Sequence, residues 1–451
     1  MTSDADGATG DGSSPEPRVE TPVERAAAYL LDVDETTVER LPVEVAQEVP
    51  GNAARQVVAL ACQKAGDLVV DPRTVLTWVM SSVGAPAAVV GLLVPVRESG
   101  SLLPQAAISG FVRRRRIRKW LWVAGAAGQA VSVLAMAILA ATTSGALAGW
   151  GILGALAVFA LARSLSSLTS KDVLGRTMPK GTRGQVTGTA TVASGAVAIT
   201  LGAALRAFGG DDAQVGTLAV ILGAGALAWV LAGGIFATIT EQAGVVEVPD
   251  DDRGSALTLL RTDRDFRRFV IVRTLLLVSA LSPPFVVALA TEVGGAGLAG
   301  LGPFLISSGL ASLLGGRFWG NLADRSSRLT MALAAGGATL VIVGLLLALR
   351  VEALREATLL YPAAYLLLAI AHTGVRVGRK TYVVDLAEGN QRTDYVAVSN
   401  SAMGVLLLVT GALTSAVAVL GIEVALAVLA GLGLLGAVAS RTLPHVSQDA
   451  R

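Results

Sequence analysis

The sequence has few of the residue types from which enzyme sites are usually built. Its 451 residues include one cysteine and two histidines. A single cysteine excludes an intrachain disulfide, and no Cys and His residues cluster at a spacing that suits a metal ion. The sequence also shows no nucleophile–base set and no phosphate-binding loop. We therefore expect a protein that is not an enzyme and that has no cofactor.

Charged residues are scarce as well. Only 16% of the residues are charged, 53% are hydrophobic, and the mean hydropathy is +0.63. This is more apolar surface than one soluble core requires, and it indicates an integral membrane protein. A helix needs about 20 apolar residues to cross a bilayer, and we predict twelve such spans in an all-α fold. The predicted spans are 74–94, 98–113, 119–141, 146–168, 187–208, 215–238, 268–290, 297–318, 329–350, 357–377, 396–418 and 422–440.

Basic residues concentrate on one side of this predicted topology. The net charge is only +2, but Lys and Arg cluster in the loops that follow the second, fourth, eighth and tenth predicted spans. Because such loops stay in the cytoplasm, we expect a multi-pass protein of the inner, cytoplasmic membrane with both termini in the cytoplasm. Three tryptophans at the same boundary are expected to anchor the protein at the membrane surface. They are Trp120, Trp122 and Trp319.

The N-terminal 70 residues differ from the rest of the chain. Residues 1–21 are polar and acidic and are expected to be disordered. Residues 22–70 contain stretches with helical apolar spacing, broken at Pro42 and at the sequence VPGN, residues 49–52. We predict short amphipathic helices that pack on the cytoplasmic side of the membrane domain. This acidic segment either docks on the basic loops or remains solvated.

Parts of the chain repeat at a nearly constant offset. The repeat predicts two six-helix halves, residues 71–238 and 268–440, with a cytoplasmic linker at residues 239–267 and a cytoplasmic tail at residues 441–451. Parallel halves of six spans are a transporter architecture in which the solute binds between the halves. The matching pairs are Gly110 with Gly320, Arg115 with Arg325 and Arg118 with Arg328 at an offset of 210, and Lys171 with Lys380, Arg183 with Arg392 and Gly195 with Gly404 at an offset of 209.

The segment WGNLADRSSR, residues 319–328, lies in the second copy of this pattern. It resembles the loop signature Gly-x-x-x-Asp-Arg-x-x-Arg of the major facilitator superfamily, and twelve spans in two repeats agree with that resemblance. The resemblance implies a monomeric transporter in the lipid bilayer that moves a small-molecule solute by alternating access. Nucleic acid is not an expected partner. Whether an ion such as H⁺ is coupled to transport stays open.

The signature is expected to act as a cytoplasmic latch. Gly320 would let two helices approach closely, and Asp324 would form a charge-assisted contact in one gate state. The arginines either contact anionic lipid headgroups or only set the topology. In the first half Arg114 takes the place of Asp324, so this half must be latched differently, with the acidic N-terminal segment as one alternative. The predicted gating residues are Gly110, Gly320, Asp324, Arg325 and Arg328.

Polar and ionisable groups within the spans are the candidates for substrate binding, because such groups usually face a cavity or a partner. Arg163 and His372 are related by the 209-residue offset, and together they would favour an anionic solute such as an organic acid. Each candidate also has a structural alternative: snorkelling of a long side chain, a loop salt bridge or a hydrogen bond between helices. The candidates are Arg97, Glu98, Gln105, Arg163 and His372.

Two functions are consistent with these features. The first is a secondary active or facilitative transporter, which the repeat and the loop signature favour. The alternative is a non-transporting membrane sensor or scaffold of the same fold that acts through its N-terminal cytoplasmic segment. Both hypotheses predict the same helical architecture.

Overall fold

The computed structural model describes residues 43–178, 183–208, 215–243, 260–294, 298–386 and 392–446. The tail predicted for residues 1–21 and most of the predicted linker lie outside these residues. All regular secondary structure within the described ranges is helical. In chain order the helices are α1 (Val43–Val69), α2 (Val75–Ser82), α3 (Ala87–Gly91), α4 (Leu93–Leu102), α5 (Pro104–Arg113), α6 (Lys119–Thr142), α7 (Gly145–Thr177), α8 (Arg183–Phe208), α9 (Val215–Ala237), α10 (Arg264–Leu275), α11 (Val278–Gly294), α12 (Leu298–Arg325), α13 (Ser327–Ala348), α14 (Glu352–Arg355), α15 (Leu360–Leu386), α16 (Arg392–Val417) and α17 (Ile422–Arg441).

Helix α1 is one continuous helix with Pro50 inside it, so the predicted break at residues 49–52 is wrong. The prediction of short, separate helices is also wrong for residues 43–69, because α1 packs along both α8 and α9. The fit against α9 is close. A Cβ atom on Gly66 would lie 2.7 Å from the indole nitrogen of Trp229, so glycine is needed for this contact.

A hydropathy analysis does not detect α1, because the helix contains polar residues. Asn52 exchanges two hydrogen bonds of 2.9 Å with the backbone of Thr240, and the Gln56 side chain donates to the Thr177 hydroxyl at 2.6 Å. Both α1 side chains are buried. Buried polar groups are tolerated when they are hydrogen-bonded, so this helix belongs to the bundle despite its polar sequence.

The first two predicted spans are displaced along the chain. Residues 74–94 do not form one helix, because α2 ends at Ser82 and the chain turns at Gly84, whose φ is +75°. Such a positive φ suits glycine. Residues 87–113 then form three short helices, α3 to α5, in succession.

The second half has the more regular helices. The Asp263 carboxylate caps α10 by accepting from the N–H groups of Asp265 and Phe266, both at 2.9 Å, and Ser326 caps α13. Each predicted span of this half overlaps a long helix or helix pair. However, α12 and α15 continue to Arg325 and Leu386, about two turns beyond the predicted ends.

The repeat relates the two halves helix by helix. Subtracting the offset of 210 from α10 and α11, residues 264–294, gives residues 54–84, which fall in α1 and α2. The matched helices α8 and α16 start at Arg183 and Arg392, which are 209 residues apart. The internal repeat predicted from the sequence therefore extends to the first helices.

The two halves pack closely at one end of the bundle. We call this the distal end; it holds the turn between α6 and α7. The other end, which holds the turn between α12 and α13 at Ser326, we call the signature end. Helix α8 packs along α12 and α4 packs against α16. A Cβ on Gly202 would lie 2.7 Å from the carbonyl oxygen of Gly302, so these backbones are in contact near the distal end.

The surface of the bundle is apolar. Large aliphatic side chains such as Leu147 and Leu340 are 71% and 74% exposed, which costs free energy in water but not in lipid. Within the described residues, eight helical segments are long and apolar enough to cross a membrane, one of them formed by α10 and α11 together, and two shorter apolar segments occur at residues 192–207 and 299–315. The chain is a multi-pass membrane protein. Its twelve predicted spans remain a prediction.

The three tryptophans at the predicted boundary have different environments. Trp122 is fully buried and stacks on Phe236 with ring centroids 3.9 Å apart. Trp319 is buried and donates to the carbonyl oxygen of Ile370 at 2.9 Å. The prediction of an interfacial anchor is wrong for these two because both rings fill the protein interior. Trp120 is 55% exposed, as an anchor requires.

Candidate functional site

A cluster of ion pairs lies where α1, α4 and α7 meet. The Asp67 carboxylate pairs with Arg97 at 3.1 Å and with Arg163. Arg97 is buried, and its guanidinium lies over the Phe159 ring at 5.8 Å from the centroid. A buried guanidinium requires a counter-charge, and Asp67 supplies one to both arginines.

Glu98 extends this cluster toward the second half. One of its oxygens lies 3.5 Å from Arg73 and 3.7 Å from Arg97. The structure thus brings together three of the five predicted substrate-binding residues, Arg97, Glu98 and Arg163. It pairs Arg163 with a carboxylate inside the bundle, which is different from the snorkelling alternative.

The other two candidates make local contacts. Gln105 donates to the carbonyl oxygen of Ser101, one turn earlier, at 2.7 Å. His372 lies on α15 with its Nδ1 3.3 Å from the hydroxyl oxygen of Ser279 on α11. The Arg163–Asp67 and His372–Ser279 contacts join matching helices of the two halves, since the residues are 209 and 212 positions apart.

Two arginines that we did not propose for substrate binding lie on the same face of α15 as His372. Arg376 and Arg379 follow it at spacings of four and seven residues, which is one stripe of a helix. Both interact electrostatically with Glu98 and Arg73 of the first half. Arg376 is also exposed.

This stripe is absent from the matching helix of the first half. The offset of 209 takes Arg376 and Arg379 to Ser167 and Ser170 on α7. The repeat is therefore broken in its chemistry, although its geometry is kept. The sequence contains both signals, the helical spacing and the broken repeat, but our predicted span ended at residue 377 and left Arg379 in a loop.

The site has more positive than negative charge. Among the described residues, six cationic side chains face three carboxylates there, an excess of three positive charges. The carboxylates are Asp67, Asp71 and Glu98, and the cations are Lys64, Arg73, Arg97, Arg163, Arg376 and Arg379. The charges of Arg73, Arg376 and Arg379 also act on His372. The excess therefore comes from permanent charges, whether or not the imidazole carries a proton.

A second polar cluster lies at the signature end of the first half. The backbone N–H groups of Arg118 and Lys119 donate to Glu241 at 2.8 and 2.7 Å, and the Arg118 guanidinium donates to Asp172 at 2.7 Å. Arg176 lies 3.5 Å from Glu241, whose side chain is fully buried. These carboxylates come from α7 and from the residues after α9, so the first half supplies its own partners for Arg118.

The signature of the second half shows a related contact. Arg328, the repeat partner of Arg118, donates to the carbonyl oxygen of Leu443 at 3.2 Å. Both arginines therefore bind the chain just after the last helix of their own half. Arg325 is exposed. The side chain of Asp324 and the surroundings of Gly110 lie outside the described part of the structure.

Gly320 does not have the predicted environment. Among the atoms of the described residues, a Cβ added there would meet none within 4 Å, so the described part of the structure does not have the close helix approach that we predicted. Close approaches occur at other glycines, such as Gly202 near the distal end and Gly378, whose Cβ would lie 3.0 Å from the carbonyl oxygen of Ser327. The gating role of the signature stays a prediction.

The fold resembles that of known membrane transporters. A POT family transporter in complex with a thioalcohol-conjugated peptide superposes with a TM-score of 0.66 at 10% identity, over 89% of this chain and 98% of that chain. A D-xylose–proton symporter gives 0.65 at 13% identity, over 87% and 98%. A bacterial homologue of the iron transporter ferroportin in an inward-facing state gives 0.63 at 14% identity, over 87% and 98%.

These likenesses define the fold class. The chain has the fold of the major facilitator superfamily, which confirms the fold that the loop signature implied. No protein-family model matches the sequence, and no curated protein matches it either. At such low identities the shared feature is the fold alone, and function has to be argued from the site.

Proposed function

We propose that the protein is a secondary active or facilitative transporter that moves a small solute across the membrane by alternating access. The observation that carries this proposal is the charged cluster between two repeated halves. Buried ionisable groups are costly in a membrane, and they usually mark a solute or ion pathway. In folds of this kind the solute binds between the halves while one half rocks against the other.

The twelve spans are assigned with α1 and α2 together as the first and α3 to α5 as the second. Both termini and the signature end lie in the cytoplasm, because the basic residues concentrate at that end. An engineered cysteine at the exposed Arg116 should not react with an impermeant thiol reagent added to intact cells. Labelling there would contradict this orientation.

The arrangement of the halves corresponds to a state that opens toward the cytoplasm. In this proposal the contact of Gly202 with Gly302 closes the distal end. The exposure of Arg376 supports an opening of the site toward the signature end. Opening the distal end requires these helices to separate. The glycines bring the two backbones together without a side chain of their own at the contact, so the helices have few interlocked atoms to disengage there.

Solute counterflow in proteoliposomes tests the proposal. The purified protein should accelerate exchange of a labelled solute across the bilayer when the unlabelled solute is trapped inside. Liposomes with heat-inactivated protein are the control. A ligand that stabilises the protein without any counterflow would contradict transport and favour a sensor of the same fold.

A further inference from the structure

We propose that the solute is an anion that binds Arg376 and Arg379 of α15, and that the charge of Glu98 partly offsets these arginines when the solute is absent. This inference rests on the proposed transport function and names its substrate class. Three observations carry it: the pairing in the first half, the cross-half role of Glu98, and the break in the repeat.

The arginines of the first half already have counter-charges within that half. Asp67 neutralises Arg97 and Arg163 in direct ion pairs, and Glu98 contacts Arg73 at 3.5 Å. Ion pairs of this kind hold α1, α4 and α7 together. A solute that bound Arg163 would have to displace Asp67, which belongs to the same pair.

The arginines of the second half depend on the other half. The carboxylate whose charge acts on both Arg376 and Arg379 is Glu98 of α4. Within the described part of the chain, the buried Nε–H of Arg379 has no hydrogen-bond partner, as is also true of the Nε–H groups of Arg73, Arg97 and Arg273. A buried donor without a partner is unfavourable by the desolvation of that group, so this arginine has capacity to bind an acceptor from a solute.

Further positive charge surrounds the same place. Arg273 of α10 is buried and donates to Asn400 at 3.2 Å and to Ser399, both on α16. The guanidinium groups of Arg273 and Arg379 also interact electrostatically. A second carboxylate or a phosphate fits this environment, whereas a cation would meet like charges on several sides.

The solute replaces Glu98 as the counter-charge of Arg376 and Arg379. When an anion reaches Arg376 and Arg379, Glu98 is no longer needed between the halves, and Arg73 and Arg97 retain it in the first half. The electrostatic interaction across the halves is then replaced by direct contacts through the solute. This gives a ligand different interactions in the two arrangements, which any population shift requires.

Binding to purified protein in a non-ionic detergent tests this at constant ionic strength, without requiring transport. The probes are inorganic phosphate, pyrophosphate, succinate and citrate, with choline and glucose as cationic and neutral controls. At least one anion should raise the melting temperature of the wild-type protein. Arg376→Gln and Arg379→Gln should each lower the affinity for that anion about tenfold. Glu98→Gln should raise the affinity, because it removes the carboxylate that competes with the anion.

Matched controls come from an exposed ion pair. Arg268 and Asp265 lie 3.9 Å apart on α10 with both side chains about half exposed, so Arg268→Gln and Asp265→Asn should leave anion affinity unchanged. Stabilisation of the wild type by none of the anions, or equally in the Arg379→Gln variant, would overturn the proposal. Variants are compared only after gel filtration shows the same folded particle.

A lipid headgroup also carries an anionic phosphate, so a further experiment adds phosphatidylglycerol to the detergent micelles. If that lipid stabilises the wild type and the soluble anions do not, the arginines bind lipid and the proposal is wrong. Counterflow of a cation or sugar without anion binding would refute the inference and leave transport intact. Anion binding without counterflow would refute transport and leave the anion site intact.

Discussion

At the residue scale, Asp67 connects two helices of the site. It pairs with two arginines from different helices, so its loss leaves two guanidiniums without their main counter-charge. Removal of one partner from a fully buried pair costs about 3–5 kcal/mol. The value here should be smaller because the side chains of Asp67 and Arg163 are 17% and 25% exposed.

We therefore expect Asp67→Asn to lower the free energy of unfolding by roughly 2 kcal/mol, measured by thermal or chemical denaturation in detergent. Arg163→Gln should be less harmful in the Asp67→Asn background than alone, since the pair is already broken. Strictly additive effects would show that the pair does not couple these helices. Asp265→Asn, at a half-exposed pair, serves as the control and should have little effect.

The candidate residues were only partly predictable from the sequence. Arg97, Glu98 and Arg163 stand out because ionisable groups are rare in apolar spans. Asp67 does not stand out, since its surroundings in the sequence are polar. Arg379 was left in a loop, because a hydropathy window ends where charges begin and cannot show that the helix continues with its charges facing inward.

At the element scale, Glu241 fixes the start of α6. Its fully buried carboxylate accepts from two N–H groups at the first turn of this helix and faces Arg176. A negative charge at a helix N-terminus is favourable, because the first N–H groups have no partners within the helix.

Glu241→Gln should lower the melting temperature, with a loss of about 1–3 kcal/mol in the free energy of unfolding. The amide keeps the shape of the side chain but has no charge. Its NH₂ group is a donor and cannot accept from the N–H groups of Arg118 and Lys119. Glu352→Gln, in the first turn of the exposed helix α14, is the control. An unchanged melting temperature for Glu241→Gln would remove its role as a cap.

Most helices were predictable and the first ones were not, for a physical reason. In the second half, helices are bounded by charged turns, and some begin at a capping residue such as Asp263. The hydropathy pattern and the helix signals therefore agree. In α1 they disagree, because Asn52, Gln56 and Asp67 are satisfied by partners distant in sequence. The repeat offset, extended to α10 and α11, is the sequence signal that would have located α1.

At the scale of the whole molecule, the central claim is that the two halves move against each other. Near the distal end Gly202 lies directly against Gly302, and we proposed that this contact closes that end. A methyl group at Gly202 would lie 2.7 Å from a backbone oxygen, too close to be accommodated without separating α8 and α12. Gly202→Ala should therefore favour the opposite arrangement, with the signature end closed.

Distances between spin labels test this most directly. After replacement of the single Cys62, one label pair is placed at the signature end, at Arg116 and Arg325, and another at the distal end, at Thr142 and Arg350, all exposed positions. In Gly202→Ala the distal distance should lengthen and the signature-end distance should shorten relative to the parent protein. Gly223→Ala, where a Cβ meets no atom of the described residues within 4 Å, should change neither. If the Gly202→Ala protein is folded and its two distances stay constant or change in the same direction, the account of alternating access is contradicted.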